Sequence, residues 1–153
     1  MQRLIHQLKY HHRPEIGYQL GLIHGRYLRE SPYYSDVDLV VPVPLHPKKH
    51  HTRGYNQSDH YARGLAEGLQ VDWAADVLIR RIYTRTQTKK SRLERLDNVE
   101  AVFGLAPGAA IAGRHLLLVD DVITTGATLE ACGIALQKAP GVRLSMATIG
   151  FAT

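Results

Sequence analysis

Residues 116–128 read LLLVDDVITTGAT, and the order of residue types in that stretch decides the fold. Leu116, Leu117, Leu118 and Val119 form a continuous apolar run, the pattern of a strand covered on both faces in a parallel sheet. Asp120 and Asp121 end the run. As neighbours at a strand end they point to opposite sides, and they place negative charge at the carboxyl edge of the sheet, where open α/β sheets bind ligands. Thr124, Thr125, Gly126, Ala127 and Thr128 then lead into LEACGIALQKA, whose helix formers are expected to run until Pro140 and Gly141 stop them. A helix start offers unpaired N–H groups and the positive end of a dipole, and Gly126 lets backbone approach an oxyanion closely. The threonine hydroxyls add donors. The aspartates repel that anion but accept hydrogen bonds from sugar hydroxyls and attract Mg2+, so a phosphorylated sugar satisfies both halves.

Working outward, Val37, Leu39, Val40, Val41 and Val43 make a second β-branched strand, which Pro42 and Pro44 restrict at its end. It runs into a loop where Lys48, Lys49, His50, His51 and Arg53 crowd together before Gly54. This is either a cradle for pyrophosphate or a solvated basic loop. QSDHYARGLAEGLQ, residues 57–70, reads as a helix with Tyr61, Leu65 and Leu69 on its core face and Ser58 or Asp59 as the cap. VLIRRI, residues 77–82, is a third strand. Residues 80–95 hold seven basic residues against one acidic, Glu94, with no apolar face, which suits an exposed loop or a lid over phosphate. VEAVFGL (99–105) and VRLSMATIGF (142–151) read as further strands, with APGAAIAG (106–113) a turn of small residues between the first of these and the opening stretch. Residues 1–30 read as two helices broken at Pro14, and Ile16, Leu20, Ile23 and Tyr27 mark the expected core face of the second. His11 and His12 lack an acidic or thiolate partner at metal-ligand spacing.

At 153 residues the chain suits one α/β domain, 1–153, with residues 1–30 as a helical part packed on the core. No apolar run approaches the roughly 20 residues that span a bilayer, so no membrane insertion is expected. The polar start does not suit a signal peptide and points to a cytoplasmic protein. Cys132 is the one cysteine, read as a small core residue. Lys and Arg outnumber Asp and Glu by 19 to 14, which favours polyanionic partners. No GxxxxGK[ST] occurs, which removes a Walker-type nucleotidase.

VDDVITTGAT resembles the phosphoribosyl pyrophosphate (PRPP) motif of type I phosphoribosyltransferases, and VPVPLHPKKHHTRGYNQ is similar to the PVPLHPxxxxxRGxNQ signature of the ComF family, proteins associated with bacterial competence and DNA uptake. The resemblance covers residues 4 to about 150. It implies the phosphoribosyltransferase fold, a mostly parallel sheet with helices on both faces and a flexible lid, here Gln87 to Arg95. It assigns Asp120 and Asp121 to the ribose hydroxyls and, through these or water, to Mg2+. Thr124, Thr125, Gly126, Ala127 and Thr128 become the 5'-phosphate loop. Leu45 and His46 fall in the pyrophosphate loop, where relatives carry a strained peptide, here Pro44–Leu45 or Leu45–His46. Arg53 belongs to the RGxNQ signature beside that loop, and Lys89 and Arg92 belong to the lid. Family members commonly begin with a four-cysteine zinc module, which a chain with one cysteine does not provide.

The implied activity is Mg2+-dependent transfer of phosphoribosyl from PRPP to a nitrogenous acceptor. The competing expectation is a non-catalytic competence factor on the same scaffold. PRPP is the expected ligand, single-stranded DNA or competence-machinery proteins are expected partners, and a homodimer is the expected assembly.

Overall fold

The computed structural model describes residues 14–45, 54–81 and 102–151. Its centre is a four-stranded parallel sheet in the order β2–β1–β5–β6, made from β1 (Leu39–Pro42), β2 (Asp72–Trp73), β5 (His115–Ile123) and β6 (Arg143–Phe151). A separate antiparallel ribbon pairs β3 (Leu78–Arg80) with β4 (Phe103–Leu105). The helices are α1 (Pro14–Arg29), α2 (Gln57–Leu69) and α3 (Ala127–Leu136).

The apolar run of β5 behaves as its composition dictates: Leu116 to Val119 are all fully buried. Alternation along the strand divides the core. Leu117 and Val119 join Val40 and the Tyr61, Leu65 and Leu69 face of α2, whereas Leu116 and Leu118 join Leu39, Val41 and the Leu129, Cys132 and Leu136 face of α3. Helices therefore cover both faces. The ribbon closes the α3 side through Leu78 and Phe103. Cys132 is the buried core residue expected, and burial pushes its thiol up to about 12.

Four expectations need correcting. The β5 strand does not end at Val119; its pairing with β6 continues to Ile123, because residues 120–123 still find a neighbour on that side. Helix α3 stops at Leu136, before Pro140 is reached. β2, two residues at the sheet edge, has no periodic signal and was not anticipated.

The fourth concerns α1. Its Ile16, Leu20, Ile23, Tyr27 face is not core: Ile23 is 62% and Tyr27 81% exposed, and the buried residues are Gly17, Gly21 and Gly25. Gly21 and Gly25 face Gly64 and Gly68 of α2, so the two helix backbones touch. A β-carbon at Gly21 would overlap the Tyr61 carbonyl, one at Gly25 the Leu65 carbonyl, and one at Gly64 the Tyr18 carbonyl. Beside the crossing, Tyr18 donates to Glu67 at 2.5 Å, and His24 Nδ1 lies 2.5 Å from the Tyr61 hydroxyl.

At the amino-terminal edge of the sheet the polar groups are knotted together. His115, 5% exposed, has Nδ1 2.8 Å from Asp36 Oδ1 and Nε2 2.9 Å from Ser145 Oγ. Arg143 donates to Asp36 Oδ2 at 2.5 Å, and the His115 N–H donates to Asp38 at 2.7 Å. Arg143 and then His115 hold the Asp36 carboxyl below its ordinary range.

The two readings of α1 separate by mutation. Gly64→Ala should destabilise by about 1–3 kcal/mol through overpacking, and Ile23→Ala should stay within about 0.5 kcal/mol. Chemical denaturation of both variants checks this, and the reverse ranking would restore the apolar face as core.

Candidate functional site

The site arises from a difference in strand length. β1 follows β5 only as far as Pro42 opposite Val119, with the Val43 N–H donating to the Val119 carbonyl at 2.8 Å, and then turns away. β5 continues for four residues paired to β6 alone. Asp120 and Asp121 open this stretch, and the flank left by β1 is a cleft. Side chains serve its backbone: the Asp121 N–H donates to Asp120 Oδ1 and the Val122 N–H to Asp121 Oδ1, both at 2.8 Å.

Two cavities meet at Asp120 and share it and Thr128. The larger, about 150 Å3, is lined by Val43, Pro44 and Leu45 after β1, by Asn56 to Ser58 at the start of α2, and by Arg80 and Asp121. The smaller, about 30 Å3, is a hollow bounded by Thr124, Thr125, Gly126 and Ala127. Gly126 is the N-cap of α3 with φ 81°, a left-handed conformation that suits glycine, and it brings no side-chain cap. Thr125 Oγ1 accepts from the Ala127 N–H only at 3.4 Å. The first turn of α3 is thus arranged to receive an outside acceptor.

Asp120 is the perturbed group. Burial, then the charge of Asp121, raises its carboxyl to about 6, against the hydrogen bonds from the Asp121 N–H and the Ser58 hydroxyl. A site that strains a carboxylate this way rewards a cation or hydroxyl donor brought to it. Among the described residues no group of three or more His, Cys, Asp or Glu could hold a metal ion by itself. Two carboxylates are nevertheless hard oxygen donors of the kind that share Mg2+ with water and a phosphorylated ligand.

The structure brings together Asp120, Asp121, Thr124 to Thr128 and Leu45 of the expected residues. His46, Arg53, Lys89 and Arg92, and the lid from Gln87 to Arg95, lie outside the described residues. Among the described residues no peptide is cis, so Pro44–Leu45 is trans, and neither residue has positive φ. The cap of α2 is Asn56 rather than Ser58 or Asp59. Sequence reasoning missed Arg80 as a site residue. Its guanidinium lies 5.2 Å from the Phe103 ring centroid, so the partner strand of the ribbon holds this cation beside the aspartates.

No family model matches the sequence. Curated relatives do: the DNA utilization protein YhgH of Escherichia coli strain K12 is 36% identical over 129 residues, which is 82% of this chain and 56% of that protein. Competence protein ComFC of Bacillus subtilis strain 168 is 36% identical over 121 residues, 78% of this chain and 47% of that protein. The chain belongs to the ComF family. This ComF-family chain spans about half the length of the curated relatives it matches. Its fold is that of the type I phosphoribosyltransferases. Glutamine PRPP amidotransferase from Bacillus subtilis superposes with a TM-score of 0.60 at 22% identity, over 93% of this chain and 30% of that one. Adenine phosphoribosyltransferase from Saccharomyces cerevisiae gives 0.58 at 17% identity, over 92% and 70%. Among the described residues no helix is long and apolar enough to cross a membrane.

The raised Asp120 carboxyl sets a pH dependence. Between about pH 4 and 6 Asp120 of the folded ComF-family chain holds a proton that the unfolded chain has released, so its contribution to stability falls as pH rises through this window and is level above it. The loss is on the order of 3 kcal/mol at most. Asp120→Asn keeps an oxygen acceptor for Ser58 and removes the charge. It should raise the Tm at pH 8 and flatten the change between pH 4 and 6, which thermal melts across that range would check.

Proposed function

We propose that this domain binds PRPP with Mg2+ and transfers its phosphoribosyl group to a nitrogenous acceptor, releasing pyrophosphate, in a protein of competence or DNA utilization. The observation that carries this reading is the placement of Asp120 and Asp121, on the flank that β1 leaves open, directly beside the uncapped start of α3. That pairing suits one ligand with hydroxyls at one end and a phosphate at the other. Phosphoribosyltransferase neighbours and competence relatives support the coarser statement, a competence-associated protein on that fold.

In the proposed reaction the acceptor nitrogen attacks the anomeric carbon as the bond to pyrophosphate breaks. Positive charge develops on the ribose and negative charge on the leaving group, so fixed charges and donors matter more than a strong nucleophile. The first turn of α3 and the threonine hydroxyls would hold the 5'-phosphate. Asp120 and Asp121 would accept from the ribose hydroxyls and face the cationic ring. Arg80, with the basic residues after β1, would meet the pyrophosphate. Mg2+, when bound through the aspartates and ligand oxygens, supplies Lewis-acid stabilisation of the leaving group. Lys89 and Arg92 would close over the site and exclude water, which otherwise competes for PRPP.

Calorimetry with PRPP tests the reading. Binding that requires Mg2+ and disappears in Asp120→Asn with Asp121→Asn supports it; no binding by folded wild type, or undiminished binding by the double variant, overturns it. Replacing Lys89, Lys90 and Arg92 together should lower turnover by about 10-fold or more while changing initial PRPP affinity less. Equal losses in both would make the segment a fixed binding surface.

The relatives' names favour a second reading, a non-catalytic factor on the same scaffold that contacts single-stranded DNA or competence proteins. DNA affinity that falls steeply with salt, in a protein that ignores PRPP, would select it.

A further inference from the structure

Asn56 and Ser58 divide the work at the start of α2 in an unusual way. A serine in the first turn of a helix commonly spends its hydroxyl on its own helix. Here Asn56 takes the cap: its backbone is extended, its Oδ1 accepts from the Ser58 N–H at 3.3 Å, and its Nδ2 donates to Asp59 Oδ1 at 2.7 Å and to the Val43 carbonyl at 3.0 Å. That last bond ties the start of α2 to the point where the chain leaves β1. The Ser58 hydroxyl is then free to reach another strand, and it donates to Asp120 Oδ1 at 3.0 Å. Ser58 is only 3% exposed, so the donor end of this bond is shielded from water. The same oxygen accepts from the Asp121 N–H at 2.8 Å. Among the described residues these two donors fall on Oδ1, which leaves Oδ2 for a ligand beside the Asp121 carboxyl.

We propose that Ser58 is a positioning residue for Asp120: held by the Asn56 cap, its hydroxyl fixes Oδ1 and presents Oδ2 to the hydroxyl or metal end of the ligand in the cleft. The inference rests on the PRPP reading and gives the Asn56–Ser58 stretch a role in it. A carboxylate locked before the ligand arrives spends no binding energy on being ordered. The chain of bonds from Val43 through Asn56 and Ser58 to Asp120 also makes one strut of the two walls of the cleft, so the wall after β1 and the carboxylate keep their spacing.

The test compares two probes by titration, Mg2+ with PRPP, and inorganic phosphate alone as a probe of the first turn of α3. Ser58→Ala leaves the backbone N–H that Asn56 caps, so the helix start is retained. It should weaken Mg2+-dependent PRPP binding roughly 10- to 100-fold, the loss expected for one hydrogen bond to a charged group, and change phosphate binding less than about twofold. Ser58→Thr, which keeps the hydroxyl, should recover most of the PRPP affinity. Ser58→Ala equal to wild type, or weakening both probes in parallel, overturns the positioning role while PRPP binding by wild type stands. A wild type that binds no PRPP overturns the parent reading and this inference with it.

Discussion

Pairing two wholly apolar strands in parallel leaves neither of their faces fit to meet water, so β1 and β5 require a layer on each side before they can exist at all. The alternating side chains of these strands recruit α2 to one face and α3 with the β3–β4 ribbon to the other. Because β5 is the longer strand, the same pairing also decides where apolar chemistry must stop. Past Val119 the flank toward β1 is open, and charge becomes tolerable there at a distance of one residue from a fully buried leucine run.

Tolerable is not comfortable. Asp120 sits half-buried against a second carboxylate, and its partial neutralisation by Ser58 and by the next backbone N–H does not cancel the loss of water. The positive groups nearby, the start of α3 and the Arg80 guanidinium stacked on Phe103, come from different elements and face the same cleft. Opposite charges are thereby held on facing walls of one cleft, which suits a ligand that carries both hydroxyls and phosphates.

What could be read from the sequence was what neighbours along the chain determine. The Leu116–Val119 run, the adjacent aspartates, the Thr/Gly turn and the four-residue repeat of Tyr61, Leu65 and Leu69 each announce their element locally. The buried face of α1 is not legible in the sequence for a physical reason: apolar periodicity registers large side chains, and α1 is held by the lack of any, with Gly21 and Gly25 against Gly64 and Gly68. The Ser58–Asp120 bond spans 62 residues and has no local signature. Arg80 was legible only as one more charge in a basic stretch, since its place depends on Phe103 across the ribbon.

The two ends of the sheet are built to opposite rules. At the amino-terminal edge, Asp36, His115, Ser145 and Arg143 pin the segment before β1 and the beginnings of β5 and β6 to one another through side chains. At the carboxyl edge β1 and β5 have already parted. Between these edges β1 and β5 stay paired from Leu39 to Pro42, and the bonds running from Val43 through Asn56 and Ser58 to Asp120 brace the mouth that opens beyond them. A molecule seated between Leu45 and Asp121 therefore meets a gap whose width is set before it arrives, and one too broad for it has to break the brace to enter.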